Sequence, residues 1–558
     1  MNILKGIAVS EGIVFGKLKA YKKVFFDAYS VKRFTEDLEA EILKFKNSKK
    51  LAIEQLDELY NNALDDVGEE HAMIFNVHKM MIEDIDYSNS VINIINDEKA
   101  NAEYAVWFTS REFEKKFESM DNEYMQQRAG DIRDISRRII NCMGNNSVNN
   151  KTSNDKKSLI IGCDDISPSE LLELNGKYIK GFITMLGSKN SHTSILARSM
   201  KIPSVVSLGS QLKPEFEDCD VIIDGFAGVV YVSPDSTTVR RLKKKKELCD
   251  KQEELLSSFK GKEDVSIDGQ KIRLAANVSH ICDIKILKEV DASGIGLFRS
   301  EFIFMNRRNY PTEEEQFKIY KSIAKKMGNK HVVIRTLDVG ADKKIDYFDM
   351  PKEVNPAMGY RGIRICLDRP EMFKTHIKAI LRASAFGNIE VMFPMISSLD
   401  EILRTKEIIK ECKLELDKQN LDYNYKKDIK IGIMIETPAA VFISDILAKE
   451  VDFFSIGTND LVQYSLAVDR QNDKVNFMFN PQHRAILRMI KMVCENAKSA
   501  GIRVGICGEI AADERMTEVF LALGIDELSM SAPFILGIRR KVRETNVKLI
   551  KEQIISKL

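Results

Sequence analysis

Hydrophobic positions along this chain change their spacing from zone to zone, and each spacing predicts a different kind of element. From Ser30 to Cys142 the only glycines are Gly68 and Gly130, and no proline occurs before Pro168. Within that stretch, EDLEAEILKFKNSKKLAIEQLDEL and AEYAVWFTSREFEKKFESM set apolar residues three and four apart, the period of one helix face. Residues 21–145, rich in helix formers and poor in breakers, are therefore predicted to form a helical bundle. NNSVNNKTSNDKKS (145–158) has the composition of a loop. After it come short β-branched runs punctuated by Gly, Pro and Asp: SLIIGCDD, KGFITMLGS, IPSVVSLG and CDVIIDGFAGVVYVSP. These predict a small α/β domain. The N-terminal GIAVSEGIVFGKL has the same texture, so residues 1–20 and 146–236 are expected to fold together, with the helices inserted between them.

RRLKKKKELCDKQEELLSSFKGK (240–262) reads as a charged helical connector over 237–262, its basic run a solvated face. Residues 263–558 then alternate eight short apolar runs with helical patterns: IRLAAN, IGLFRSE, VVIRTLD, IEVMFPM, IGIMIET, FFSIGTND, RVGICGE and DELSM. Strand and helix repeated eight times predict a (β/α)8 TIM barrel. The chain is thus expected to be an α/β multidomain protein.

Composition narrows the class. The chain has 558 residues, too many for one core, with 30% charged side chains and a net charge of +1. That balance argues against nucleic-acid binding, which needs a basic surplus. No run approaches the about 20 apolar residues of a membrane span, and MNILKGIAVSEGIVFGKL lacks the sustained apolar core of a signal peptide. Nine scattered cysteines without a C-x-x-C pair fit reduced thiols, so a cytoplasmic enzyme is expected.

The polar residues of the last zone close its apolar runs, where such barrels do chemistry: Asn277, Arg299, Glu301, Arg335, Asp338, Glu436, Asn459, Asp460, Cys507 and Glu509. Arg299, Arg335, Arg361 (in GYRGIR) and Arg470 (in AVDRQND) offer guanidinium forks suited to phosphate and carboxylate. Glu436 and Asp460 are hard oxygen ligands, which with substrate oxygens hold magnesium rather than zinc. The set implies a small substrate bearing both phosphate and carboxylate. Cys507, from position alone, is either buried packing or a proton donor.

Outside the barrel, GSKNSHTSILARSMKIPSVV (187–206) sets His192 among hydroxyls at a helix start. Cap, metal ligand and nucleophile are all open readings of that histidine.

ETPAAVFISDILAKEVDFFSIGTNDLVQYSLAVDRQND followed by GICGE resembles the C-terminal half of the phosphoenolpyruvate-protein phosphotransferases, enzyme I of bacterial sugar phosphotransferase systems. GLFRSEFIFMNRRNYPTEEEQF, IRTLDVGADK and NPAMGYRGIR look like that family's other barrel motifs. They would also suit pyruvate phosphate dikinase and phosphoenolpyruvate synthase, but those carry a large ATP-grasp domain for which this chain has no room. The resemblance implies that His192 takes the phosphoryl group, that Arg299, Arg335, Arg361, Asn459 and Arg470 hold phosphoenolpyruvate, and that Glu436 and Asp460 hold Mg2+. It makes Cys507 the donor that protonates enolpyruvate to pyruvate. It implies hydroxyl and helix-terminus donors from Ser191, Thr193 and Ser194 around the phosphate. EEHAMIFNVHKMMIED (69–84), with Met73, Phe75, Met80 and Met81, is similar to the docking site for the phosphocarrier HPr. A homodimer through the barrel is also implied.

The histidine motif departs from the family's usual pattern at Met185, Ser188 and Asn190, and Leu171 stands where many relatives have threonine. In the docking segment Asn76 replaces a common acid. Serine at 188 would reshape the loop if a positive φ were needed there. Two functions follow. One is a phosphotransferase feeding a phosphocarrier, and the other a phosphoenolpyruvate-binding regulator that phosphorylates itself poorly. A nucleophile and a proton donor are of use only to the first.

Overall fold

The computed structural model of the chain describes residues 1–557 except 21–28, 67–68, 120–128, 145–158, 176–178, 190, 282, 306, 308, 341–344, 351–352, 420, 422–423 and 473. The chain divides into two compact units, Met1–Lys251 and Gln252–Leu558.

In the first unit, short β-branched runs make β1 (Asn2–Lys5), β2 (Ile7–Ser10), β3 (Ile13–Ala20), β4 (Leu159–Cys163), β5 (Ile179–Thr184), β6 (Ser204–Val206), β7 (Asp220–Asp224) and β8 (Val229–Val232). They form one sheet in the order β1-β8-β7-β3-β4-β5-β6-β2. Its two end strands are consecutive in the chain and meet at Gly6, so the sheet curls round on itself. A Cβ on Gly6 would lie 2.5 Å from the Val206 carbonyl oxygen, which no larger residue tolerates.

β3 and β4 are parallel neighbours, Lys17 opposite Leu159. The helices Leu38–Asp66, Glu69–Glu83, Ile85–Glu98, Ala102–Glu118 and Ala129–Met143 lie between them in the chain, so the bundle is an insertion between adjacent strands. Val91 with Ile95, and Ile132, Ile135 with Ile139, recur at helical spacing and are buried with Phe45, Phe75 and Val106. Each such side chain contributes about 1.5–3 kcal/mol by leaving water. The expected Met/Phe stripe divides: Phe75 is wholly buried, whereas Met73 is 45% and Met80 71% exposed. The charged connector is a helix, Ser236–Ser257, and its Lys245 pairs with Asp224 at 2.7 Å.

In the second unit the eight apolar runs become β9 (Arg273–Val278), β10 (Gly294–Arg299), β11 (His331–Arg335), β12 (Asn388–Phe393), β13 (Ile431–Ile435), β14 (Phe453–Ile456), β15 (Arg503–Ile506) and β16 (Glu527–Met530). They close into a barrel in chain order, β16 returning to β9. Its strands are buried on both faces, as parallel strands under helices must be. Leu297, Val333, Met392, Met434, Phe453 and Cys507 pack together inside, while the opposite faces meet the surrounding helices. The His331–Glu527 contact (2.8 Å) and the Arg503–Glu390 ion pair occupy the end where the strands begin. The other end carries the polar residues that close the apolar runs.

Candidate active site

Two arginines at the carboxyl end of the barrel are locked into carboxylates. Arg335, the last residue of β11, donates from Nη2 to Glu301 Oε1 at 2.6 Å and pairs through Nη1 with Asp338 Oδ2 at 3.0 Å. Arg361 gives Nη2 to both Asp338 oxygens, at 3.0 and 3.1 Å, and Nη1 to the Tyr464 hydroxyl at 3.2 Å. Its Nη2 also lies 3.6 Å from Asp460 Oδ2. Burial opposes charge on both guanidinium groups, but the surrounding carboxylates outweigh it and hold both firmly charged. Arg299 is different: among the described residues it makes no hydrogen bond or ion pair, and it lies part-exposed at the end of β10. Arg470 is exposed and likewise without an internal partner.

Glu436 follows β13 and is wholly buried. Its Oε1 accepts the Met395 backbone N–H at 2.6 Å, and its Oε2 has no hydrogen-bond partner. Burial, then the charges of Asp460 and Asp338, push this carboxyl well above the usual range. Asp460 and Asn459 ride on the helix Thr458–Leu466 that follows β14. Asn459 Nδ2 donates to Glu509 Oε1 at 3.2 Å, and its Oδ1 accepts from the Glu509 N–H at 3.3 Å. That helix start presses on Gly508, where a Cβ would fall 1.8 Å from Thr458 Oγ1. Only glycine lets the β15 and β14 loops approach this closely.

Cys507, one residue past β15, turns into the barrel among Leu297, Met392 and Met434. Burial pushes its thiol up to about 11, with Arg335 and Arg299 pulling the other way. At neutral pH it is therefore a protonated group beneath the arginines. Asn277, on β9, donates to the Cys507 carbonyl at 3.0 Å and accepts from Ser529 Oγ at 2.7 Å.

His192 opens the helix His192–Ser199, capped by Ser191, whose Oγ accepts the Ser194 N–H at 3.2 Å. The His192 side chain and Asn190 lie outside the described residues. The hydroxyls expected around a phosphate are engaged elsewhere. Ser194 Oγ donates to the Ser188 carbonyl at 2.6 Å, and Thr193 Oγ1 to the Ile166 carbonyl at 2.7 Å. Ser188 does not adopt a positive φ; Gly187 does, at 112°, so serine at 188 is accommodated. Leu171 is wholly buried in the same apolar core as Ile166 and Leu196.

The structure brings Arg335, Arg361, Glu436, Asp460 and Cys507 into one interacting set, with Arg299 joined to it through its charge on Cys507. Asp338 was named at the rim but given no role, and two contributors, Tyr464 and Met395, were not named from the sequence. Asp338 bridges two arginines, and its place three residues after Arg335 was the available signal. Tyr464, one helical turn from Asp460, braces Arg361. Met395 acts through its backbone, which leaves no trace in side-chain chemistry.

Residues 253–547 match the PEP-binding domain of PEP-utilising enzymes, residues 5–128 their N-terminal domain and residues 156–228 their mobile domain. A phosphoenolpyruvate-protein phosphotransferase of Staphylococcus carnosus (strain TM300) is 40% identical over 98% of this chain and 95% of its own. Another, from Bacillus subtilis (strain 168), is 40% identical over 100% of this chain and 97% of its own. This chain belongs to the phosphoenolpyruvate-protein phosphotransferase family. A solution structure of an Enzyme I protein covers 44% of this chain and 99% of its own, at 34% identity and a TM-score of 0.36. As in the family's domain layout, the barrel rim described above falls in the PEP-binding domain and His192 in the mobile domain.

Proposed function

We propose that this chain takes the phosphoryl group of phosphoenolpyruvate onto His192, releases pyruvate, and passes the phosphoryl group to a histidine of the phosphocarrier HPr. The observation that carries this reading is the barrel rim, where arginine forks, a buried carboxylate with one unpartnered oxygen and a protonated thiol interact. A neutral imidazole is nucleophilic at physiological pH and its phosphoryl adduct keeps high transfer potential. With the hydroxyls of Thr193 and Ser194 committed to the loop, the backbone N–H groups of the helix start are the donors left for the phosphate.

Arg299 and Arg470, without a hydrogen-bond or ion-pair partner among the described residues, leave their forks for the substrate's phosphate and carboxylate, with Asn459 as a further polar ligand. Arg335 and Arg361 supply fixed positive potential rather than free forks. Arg335 and Arg361 already pair with Glu301, Asp338 and Asp460, and Glu436 adds a further acid, so a highly anionic substrate requires another positive charge. Glu436 and Asp460 fit Mg2+, since a cation would meet the unpartnered Oε2 and relieve their mutual repulsion. No group of three His, Cys, Asp or Glu side chains suited to a metal occurs among the described residues, which fits an ion completed by substrate and water oxygens. Bound there, Mg2+ would supply charge stabilisation to the phosphoryl group in transfer. Cys507 then holds the proton that converts enolpyruvate to pyruvate.

Exposed Met80 and Ile85, set among Glu83, Asp84 and Asp86, support docking of HPr on the segment Glu69–Asp84, with apolar anchors inside an acidic rim. Exposed Phe442 and Ile446 on neighbouring barrel helices support a homodimer. No described helix is long and apolar enough to cross a membrane, and a cytoplasmic enzyme driving sugar uptake fits that.

The test is intact mass after mixing with phosphoenolpyruvate and Mg2+, beside His192→Ala. One acid-labile phosphate on wild type and none on the variant is expected. No adduct on folded wild-type protein would overturn the reading.

A further inference from the structure

We propose that Asp338 is a positioning residue that holds Arg361 away from Asp460 and so keeps the Asp460 carboxylate available to a divalent cation. This rests on the metal reading of Glu436 and Asp460 given above. Arg361 stands between two carboxylates. On one side Asp338 receives its Nη2 at 3.0 and 3.1 Å and its Nε at 3.4 Å. On the other, Asp460 Oδ2 lies 3.6 Å from the same Nη2, just outside hydrogen-bond range.

The backbone fixes this competition. The Gly362 N–H donates to the Val339 carbonyl at 3.2 Å, which docks the residue after Arg361 onto the residue after Asp338. Tyr464 holds Nη1 from the helix that also carries Asp460. The guanidinium, already in loose ionic contact with Asp460, therefore needs to move only a few tenths of an ångström to hydrogen-bond it, and Asp338 is what prevents it. Arg335 helps hold Asp338 in place, its Nη1 3.0 Å from Oδ2. A cation and Arg361 cannot both neutralise Asp460 fully. The negative charge on Asp338 decides which one does.

Asp338→Asn keeps the shape and one acceptor oxygen but removes the charge, so Arg361 should transfer to Asp460 and compete with the cation. The measurement is Mn2+ binding to the full chain by the electron paramagnetic resonance signal of free Mn2+, with Mn2+ as the only added ligand. Asp338→Asn is expected to weaken Mn2+ binding about 10- to 100-fold. Arg361→Gln alone should bind at least as tightly as wild type, and Asp338→Asn with Arg361→Gln should recover most of the loss. Wild-type affinity in Asp338→Asn would overturn the proposal. So would a loss that persists in the double variant, since plain damage to the rim predicts no recovery. If wild type binds no Mn2+, the metal reading itself fails and this proposal with it, an outcome visible in the wild-type arm alone.

Discussion

The Met395 backbone N–H donates to Glu436 Oε1 at 2.6 Å and leaves Glu436 Oε2 buried without a partner. Met395 reaches this position with φ of 61°, a left-handed conformation that costs a non-glycine residue about 1–2 kcal/mol. The contact splits the carboxylate into one anchored and one open oxygen. Glu436→Gln keeps the anchor and removes a buried charge that Asp460 and Asp338 oppose. Its cation-free unfolding temperature is expected to equal or exceed wild type. Added Mg2+ should stabilise wild type by about 2.7 kcal/mol at a hundredfold excess over its dissociation constant, and the variant not at all. Thermal unfolding with and without Mg2+ checks this, and an equal Mg2+ effect on both would remove Glu436 from the metal site.

The four rim arginines should separate into two classes. Arg335→Gln removes one buried ion pair from Glu301 and another from Asp338, so a loss of about 3–5 kcal/mol in stability is expected. Arg470 is exposed and has no partner among the described residues, so Arg470→Gln should change stability by no more than about 0.5 kcal/mol. It should nonetheless raise KM for phosphoenolpyruvate roughly tenfold, the loss of about 1.4 kcal/mol of binding. Urea unfolding beside steady-state kinetics distinguishes the two, and comparable destabilisation of both variants would contradict the division.

The sequence disclosed the barrel well because each parallel strand is a short apolar run ending in a polar side chain, and that pattern survives without knowledge of packing. Arg335 and Cys507 could be placed at strand ends from it. The insertion was readable because GIAVSEGIVFGKL and SLIIGCDD share a texture that the helical stretch between them lacks. What stayed hidden depended on distance across loops. Nothing in the order of residues says that Arg361 reaches Asp338, or that a methionine amide grips Glu436. Nor does it say that the hydroxyls beside His192 fasten their own loop. Helical spacing alone likewise gave Met73, Phe75 and Met80 one stripe, because it does not say which side of the stripe a neighbouring helix covers.

In the helical insertion, His78 is buried between Asp131 at 3.3 Å and Asp134 at 3.7 Å, and Ser169 Oγ donates to Asp134 at 3.0 Å. Burial opposes ionisation of Asp134, but His78, Arg138, Ser167 and Ser169 outweigh it and leave its carboxyl below the usual value. A carboxyl whose folded pKa is depressed contributes stability above its unfolded pKa of about 3.9 and loses it as pH falls through the folded value. The first unit is therefore expected to lose stability as pH drops below about 4, through protonation of this aspartate. Asp134→Asn should be less stable than wild type at pH 7, and the gap should narrow in acid. Denaturant unfolding followed by the fluorescence of the single tryptophan, Trp107, reports on this unit. A gap that stays constant with pH would rule the pair out as its source.

Cys507 should behave as an acid rather than as a nucleophile. Burial lifts its thiol to about 11, so at pH 8 almost none is thiolate and alkylation by iodoacetamide should be far slower than for an exposed cysteine. The sign of the pH effect follows. A thiol with a raised folded pKa contributes stability in full below its unfolded value, about 8.5, and loses it as pH rises through about 11. Cys507→Ala should abolish that alkaline loss. In catalysis the variant should still transfer phosphate to His192 but deliver enolpyruvate unprotonated, lowering turnover by about 10²–10⁴-fold. Phosphoenolpyruvate stereospecifically deuterated at C3 and reacted in tritiated water gives a chiral methyl that separates the two steps: wild type should add the hydron to one face of the enol, and the variant to both. Rapid alkylation at pH 8, or a product of unchanged face selectivity from Cys507→Ala, would assign the proton to another group.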